Sequence, residues 1–205
     1  MKNEIKAIIF DVGGVLQLKN PSFEHPHVHS FVAKKLKIGL DQYFDSIDTT
    51  YAKSIEGKIS EEKALEIMSR NLKTTPKRLK RIYLEAYKRY YSLNSKLLKF
   101  EFKIKKQGYK TAILSDQWWL SEKALFPRSF YGKFNATISS CNVGLRKPDP
   151  KIYKFVLKKL HVLPKEAVFI DNQKWNITPA RKLGMRTILF KDNNQTIREL
   201  KKLLK

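Results

Sequence analysis

Five short runs of largely apolar residues, each followed by polar residues, constrain the fold of this 205-residue chain more than any other feature. The runs are residues 7–10, 111–114, 136–138, 167–170 and 186–190. Strands that are buried on both faces of a parallel sheet give such runs, because helices cover both faces. We therefore predict that each run is one strand of a parallel sheet.

Helical patterns lie between the later runs. They cover residues 95–107, 150–160 and 176–183. Gly108 and Gly184 follow the first and the last of these patterns, and glycine commonly ends a helix. Alternating strands and helices predict right-handed crossovers, and ligands of such sheets bind beyond the carboxyl ends of the strands. Asp11, Ser115 and Asp171 follow predicted strands, so we expect them at that edge.

The stretch from residue 18 to residue 94 carries no strand pattern and is predicted to be helical. Ser60 is the expected N-cap of a helix over residues 60–72, and residues 76–91 place their apolar side chains on one stripe. We therefore expect a core domain of residues 1–17 and 95–205 and a helical cap domain of residues 18–94. The pattern thus predicts an α/β core with a parallel sheet and this inserted helical cap.

The composition limits the partners. Lys and Arg number 42 against 19 Asp and Glu, which gives a formal net charge of +23. Such a charge attracts anions, among them phosphorylated metabolites and nucleic acid. Because the positive residues are spread along the whole chain, we favour a solvated basic surface over a dedicated nucleic-acid site.

The cysteine count and the hydropathy bear on the compartment. Cys141 is the only cysteine, which excludes an intrachain disulfide and favours a reducing compartment. No stretch has the length and apolarity of a signal peptide or of a membrane-spanning helix. We expect a cytoplasmic protein without a membrane partner, and the sequence leaves the oligomeric state open.

Four segments in order resemble the motifs of the haloacid dehalogenase superfamily. Residues 8–16, Ile-Ile-Phe-Asp-Val-Gly-Gly-Val-Leu, resemble the first motif, and residues 113–115 resemble the second. Residues 144–150, Gly-Leu-Arg-Lys-Pro-Asp-Pro, are similar to the third, and residues 168–172, continued by Asn176, Ala180 and Gly184, are similar to the fourth. Within the superfamily the chain is most similar to small-molecule phosphatases related to the N-terminal phosphatase domain of soluble epoxide hydrolase.

This resemblance implies a three-layer α/β/α, Rossmann-like core. It also implies a Mg²⁺-dependent phosphatase that encloses a small phosphorylated substrate beneath the cap. Asp11 would form an aspartyl-phosphate, Lys147 would neutralise Asp11 and the phosphoryl group, and Ser115 would donate a hydrogen bond to a phosphoryl oxygen. The implied Mg²⁺ ligands are Asp11, the Gly13 carbonyl, Asp171 and Asn172. The implied substrate-binding residues are Gly14, Asp116, Gln117 and Trp118.

The chain departs from the phosphatase pattern at two positions. Gly13 stands where the pattern has a second aspartate, which acts as general acid and base; such help accelerates a reaction roughly a hundredfold to ten-thousandfold. Asn172 stands where relatives usually have a second metal-binding aspartate, and its amide can bind Mg²⁺ but adds no charge. Slow turnover and weakened metal binding are the expected consequences.

Other readings of the same residues stay open. The site could have lost catalysis and serve as a binding module for an anionic partner such as nucleic acid, or Asp11 could attack a 2-haloacid without a metal. Asp171 could simply cap a turn, and Trp118 and Trp119 could pack between core and cap. His25, His27 and His29 are expected to be an exposed segment rather than a metal site.

Overall fold

The computed structural model describes residues 4–20, 22, 28–126, 130 and 132–204. The strands are β1 Ala7–Phe10, β2 Gln17–Lys19, β3 Tyr91–Leu93, β4 Lys110–Ser115, β5 Ala136–Ser139, β6 Ala167–Asp171 and β7 Arg186–Leu189. The helices are α1 Val28–Leu36, α2 Leu40–Ile55, α3 Glu61–Asn71, α4 Pro76–Tyr90, α5 Ser95–Lys106, α6 Trp119–Leu125, α7 Ser140–Val143, α8 Pro150–Leu160, α9 Lys174–Lys182 and α10 Asn193–Leu203. A short 3₁₀ turn, Pro164–Glu166, precedes β6.

A five-stranded parallel sheet in the order β5-β4-β1-β6-β7 confirms all five predicted strands. Side chains of β1 alternate between two apolar clusters. Ile8 and Phe10 face the cluster that holds α5, α10 and the helices after β2, whereas Ala7 and Ile9 face α8 and α9. Helices therefore cover both faces of the sheet and give the predicted three-layer α/β/α, Rossmann-like core.

The register of the sheet brings the predicted site residues to one edge. Phe10 is paired with Ile113 of β4 on one side and with Ile170 of β6 on the other. Because paired residues of parallel strands lie side by side, the chain leaves all three central strands at the same edge. Asp11 and Asp171 follow the paired residues directly.

The helical prediction for residues 18–94 is wrong at both ends of that stretch. β2 and β3 form a two-stranded antiparallel ribbon that pairs Lys19 with Tyr91. Asn94 fastens the ribbon, because its backbone N–H donates to the Leu16 carbonyl at 2.9 Å and its side chain donates to the Val15 carbonyl at 2.8 Å. Strands of three residues are too short to give an alternating pattern in the sequence.

Helices α1 to α4 lie between β2 and β3. We call the segment from β2 to β3, residues 17–93, the insertion. The side chain of Ser60 accepts a hydrogen bond from the Lys63 N–H, as predicted for an N-cap, and Thr75 caps α4 in the same way. The apolar stripe of α4, including Tyr83 and Tyr87, is buried against the core. The insertion is also tied to α6, because the indole N–H of Trp119 donates to the Ile59 carbonyl at 2.8 Å.

The structure also bears on the predictions for the three histidines and for membrane-spanning helices. His29 lies in α1, where it is half-buried and its Nδ1 is 2.9 Å from the Tyr43 hydroxyl, so it is not an exposed residue. His25 and His27 lie outside the described residues. Within the described part of the chain, no helix combines the length and the apolarity that crossing a bilayer would require.

Candidate active site

The loop after β1 holds Asp11 at the carboxyl edge of the sheet. The Asp11 N–H donates to the Ile170 carbonyl at 2.9 Å, which continues the pairing of β1 with β6. The chain then turns sharply, because the Val12 carbonyl accepts hydrogen bonds from the N–H groups of Val15 and Gln17. Gly14 makes this turn with a φ of 83°, a conformation that costs glycine little.

The ammonium group of Lys147 joins the two strand-end carboxylates. Its Nζ lies 2.8 Å from Asp11 Oδ1 and 2.7 Å from Asp171 Oδ2. All three residues are buried, with exposed fractions of 3% for Lys147, 6% for Asp11 and 0% for Asp171. The structure therefore brings together three charged residues that the sequence placed in the candidate site.

The electrostatics of this group favour a charged lysine. Burial alone would lower the pKa of Lys147, but the carboxylates of Asp11, Asp171 and Asp116 outweigh burial and raise it above the ordinary value. Burial and the Asp11 charge raise the pKa of Asp171, although Lys147 opposes them. Two close carboxylates and one ammonium leave a site that still attracts positive charge.

Asp171 is held by more than the lysine. Its Oδ1 accepts a hydrogen bond from the Gln173 N–H at 2.7 Å, and its Oδ2 accepts one from Asn176 Nδ2 at 3.0 Å. Asp171 thus caps the turn after β6 and also takes part in the charged group, whereas its role as a metal ligand stays a prediction. The bonds to the turn and to α9 fix its orientation towards Lys147.

Asn172 and Gly14 lie in close contact across the site. A β-carbon on Gly14 would lie 2.4 Å from Asn172 Nδ2, so only glycine leaves room for this amide. Asn172 Oδ1 is buried and has no hydrogen-bond partner. A buried oxygen without a partner is costly, and a bound cation is one group that would satisfy it.

The predicted metal ligands fit a Mg²⁺ ion in kind. Asp11 and Asp171 supply carboxylate oxygens, Asn172 supplies the unpartnered amide oxygen, and Gly13 supplies a backbone carbonyl. Such oxygen ligands are those that Mg²⁺ prefers. Among the described residues no three His, Cys, Asp or Glu side chains lie close enough together to share a metal, so two carboxylates at most would hold the ion.

The second and third motifs meet beside the charged group. The Ser115 hydroxyl is buried and accepts a hydrogen bond from Gln117 Nε2 at 2.9 Å. Asp116 accepts a hydrogen bond from the Lys147 N–H at 3.0 Å and lies 3.9 Å from Arg146 Nε. Burial raises the pKa of Asp116, and Lys147 opposes the rise. Asp116 therefore positions the lysine backbone, a contact that the sequence did not indicate.

Aromatic side chains of the insertion border the site. Trp118 is buried, and its indole N–H donates to the Tyr87 hydroxyl at 2.7 Å, so it packs at the seam between core and insertion. The rings of Tyr87 and Tyr91 are 6.2 Å apart. Burial and the Asp11 carboxylate raise the pKa of Tyr91. The sequence pattern placed Tyr87 on the apolar stripe of residues 76–91, but it gave no indication that Tyr91 lies near Asp11.

Gly13 has free space where the phosphatase pattern places an aspartate. A β-carbon built on Gly13 meets no atom within 4 Å, and its φ lies outside the left-handed region. Nothing in the described geometry therefore prevents a side chain at this position. The site holds a candidate nucleophile, a cation and a hydroxyl donor, but it has no proton-transferring side chain at position 13.

Comparisons with known proteins bear on the family of the chain. A family model described as haloacid dehalogenase-like hydrolase matches residues 5–184. The bifunctional epoxide hydrolase 2 of Rattus norvegicus is 40% identical over 117 residues, which are 55% of this chain and 21% of that protein. The glyceraldehyde 3-phosphate phosphatase of Pyrococcus furiosus is 36% identical over 95 residues, or 43% of this chain and 38% of that protein. The chain thus spans well under half the length of these relatives.

A solved structure has the same fold. A HAD family enzyme from Bacteroides thetaiotaomicron, in complex with magnesium and inorganic phosphate, superposes with a TM-score of 0.70. It is 21% identical, and the match covers 91% of this chain and 94% of that one. Because the family model covers most of the sequence, the chain belongs to the haloacid dehalogenase-like hydrolases.

Proposed function

We propose that this chain is a Mg²⁺-dependent phosphatase that hydrolyses a small phosphorylated metabolite through an aspartyl-phosphate. The observation that carries the proposal is the buried Lys147 ammonium, which lies within 2.8 Å of both strand-end carboxylates. A cation in this position offsets the repulsion between an attacking carboxylate and a phosphate ester. A binding module for a large polyanion would be expected to expose its cations, whereas Lys147 is buried.

In the proposed first step an oxygen of Asp11 attacks phosphorus, and the bond from phosphorus to the leaving oxygen breaks. Lys147 stabilises the charge that the phosphoryl oxygens carry in this step, and the Ser115 hydroxyl donates a hydrogen bond to one of them. In the second step water attacks phosphorus, which releases phosphate and restores the Asp11 carboxylate. The covalent intermediate thus replaces one slow displacement at phosphorus by two easier ones.

The bound Mg²⁺ would add positive charge beside the phosphoryl oxygens and help to orient the substrate. Asp11, Asp171, the Asn172 amide and the Gly13 carbonyl are the groups that would hold it. The magnesium and phosphate bound to the Bacteroides enzyme support this assignment.

The leaving oxygen needs a proton when it departs, and Gly13 cannot supply one. We therefore expect the enzyme to prefer phosphate esters with good leaving groups. Residues 18–94 are proposed to act as the cap that limits substrate size, and residues 1–17 and 95–205 as the catalytic core. Gly14, Asp116, Gln117 and Trp118 are proposed to shape the substrate side of the site, the last of them from its buried position at the seam.

A phosphatase panel with and without Mg²⁺ tests the proposal. It compares the parent protein with Asp11→Asn and Gly13→Asp, on aryl phosphates and on alkyl phosphates. We expect Mg²⁺-dependent phosphate release from the parent, none from Asp11→Asn, and a rise for Gly13→Asp that reaches about a hundredfold on alkyl phosphates. Gly39→Asp is a matched control, because a β-carbon there also meets nothing within 4 Å. Phosphate release at background level from parent and Gly13→Asp alike would refute the proposal.

A further inference from the structure

Helix α5 exposes an aromatic side chain among lysines. Phe102 is 58% exposed, which is high for a phenylalanine. Lys99 and Lys106 stand one turn before and one turn after it, and Lys106 Nζ lies 4.6 Å from the centre of its ring. Single exposed apolar side chains are common on proteins, but one that borders an apolar cavity enlarges the apolar surface available for contact.

Such a cavity opens beside Phe102. It has a volume of about 580 Å³ and lies between α5 and residues 132–134. Leu98, Phe130 and Phe134 give it apolar walls, and the rings of the two phenylalanines pack edge to face at 6.1 Å. The volume lies within the range of sites that bind small molecules or a lipid chain.

Positive charge surrounds this cavity. Lys99, Lys105 and Lys133 line it, and Lys96 and Lys103 are exposed on the same helix. The one acidic residue of α5 is Glu101, which is buried and accepts a hydrogen bond from the Thr111 hydroxyl. Glu101 also lines the cavity, where Lys105 and Lys133 lie near its carboxyl group, so no acidic side chain of α5 is exposed outside the cavity.

Helix α10 extends the basic surface. Lys96 Nζ donates to Asn194 Oδ1 at 2.7 Å, so the two helices begin side by side. The exposed residues Arg198, Lys201 and Lys202 of α10 add further positive charge. We name the exposed surface of α5 and α10, together with the cavity beside Phe102, the α5 face.

We propose that the α5 face binds the surface of an anionic phospholipid membrane, with headgroups at the lysines and one acyl chain in the cavity. Each lysine close to an anionic bilayer strengthens binding about fivefold. The apolar cavity and the exposed ring favour lipid over nucleic acid, because nucleic acid has no acyl chain to fill a cavity of this kind. Binding at the surface requires no spanning helix, so the site departs from the sequence expectation of no membrane partner.

Co-sedimentation of the full chain with vesicles tests this proposal. The vesicles contain phosphatidylcholine alone or phosphatidylcholine with phosphatidylserine, at low and high salt. The first variant is the double substitution Lys99→Glu with Lys103→Glu. Its matched control is Lys154→Glu with Lys158→Glu, which makes the same charge change at exposed positions of α8 on the other face of the sheet. Phe102→Ala tests the apolar contact.

We expect the parent to bind only the vesicles with phosphatidylserine, and less at high salt. The double variant on α5 should lose at least about twentyfold in affinity, and the α8 control should lose much less. Phe102→Ala should also weaken binding while its melting temperature stays close to that of the parent, since the residue is exposed. Equal losses in the two double variants, or a parent protein that binds an RNA oligonucleotide but not the vesicles with phosphatidylserine, would overturn the proposal.

Discussion

The side-chain amide of Asn172 lies against the backbone of Gly14, so that a β-carbon on Gly14 would come within 2.4 Å of Asn172 Nδ2. The contact links the turn after β1 to the end of β6, the two places that supply the candidate metal ligands. Asn172 Oδ1 is left buried and without a partner by this arrangement. The position of the amide therefore depends on a glycine at residue 14.

Gly14→Ala should lower stability and activity together. The φ of 83° costs a residue with a β-carbon about 1–2 kcal/mol, and the clash with Asn172 adds to that cost. We expect a lower melting temperature and weaker Mg²⁺ dependence of phosphate release, both measured against the parent. Gly39→Ala, at an open position with ordinary φ, is the control. A Gly14→Ala protein with parental stability would show that the contact between residue 14 and Asn172 does not contribute to stability.

Asn172→Asp should strengthen metal binding. A third carboxylate adds charge beside Asp11 and Asp171, and we expect roughly tenfold or more tighter Mg²⁺ binding. Without metal the same change should lower the melting temperature, because the added carboxylate then repels Asp11 and Asp171. Melting temperatures with and without Mg²⁺ measure both effects, and Asn194→Asp on the surface of α10 is the control. If Mg²⁺ stabilises parent and variant equally, residue 172 is not a ligand.

Lys147→Met should destabilise the protein by about 3–5 kcal/mol near neutral pH, because it leaves two buried carboxylates without their cation. Loss of the lysine raises the pKa of Asp171 further above its ordinary value. A carboxyl group whose pKa is raised in the folded state lowers the stability of the protein as the pH rises through that pKa. The loss of unfolding free energy relative to the parent should therefore grow between about pH 4 and about pH 8.

Urea denaturation of this variant and the parent at several pH values measures the difference. Lys151→Met, at an exposed position of α8, is the control and should change stability by no more than about 0.5 kcal/mol. A deficit that does not vary with pH would mean that the lost lysine acts through packing and not through charge.

Glu101→Gln should stabilise the protein at neutral pH. Burial raises the pKa of Glu101, whereas the hydrogen bond from Thr111 and the charges of Lys105 and Lys133 oppose the rise. The folded state therefore favours the neutral acid, and the parent loses stability as the pH rises through this pKa. Glutamine keeps a carbonyl oxygen for Thr111 and carries no charge. We expect a higher melting temperature than the parent at pH 7, and little difference below the ordinary pKa of glutamate.

The surface substitution Glu85→Gln, which removes one partner of an exposed ion pair with Lys35, is the control for Glu101→Gln. It should change the melting temperature little at any pH. A Glu101→Gln protein that is less stable than the parent at pH 7 would show that the carboxylate is favoured inside the fold.

The sequence predicted the sheet well, because strands such as Ala7–Phe10 are buried on both faces and give unbroken apolar runs. It missed β2 and β3, since a ribbon of three-residue strands depends on long-range bonds such as those of Asn94 to the turn after β1. The start of α9 was predicted two residues late, at residue 176, because Lys174 and Trp175 are polar or exposed and add nothing to its apolar stripe.

The approach of Asp11 to Asp171 could be predicted, because both follow adjacent parallel strands, and the motif resemblance added Lys147. The supporting contacts could not be predicted. Asp116 accepts a hydrogen bond from the N–H of Lys147, which lies 31 positions later in the sequence, and Tyr91 belongs to the insertion. Such contacts depend on how separate elements pack, which residue spacing within one element does not encode.

The most direct measurement is the search for a phosphoryl group on Asp11. The parent protein would be mixed with an aryl phosphate and Mg²⁺, quenched in acid and digested, and its peptides analysed by mass spectrometry. We expect a phosphoryl group on the peptide that contains Asp11, and none in Asp11→Asn. Phosphate release that continues in Asp11→Asn, or turnover without any label on Asp11, would contradict the proposed mechanism.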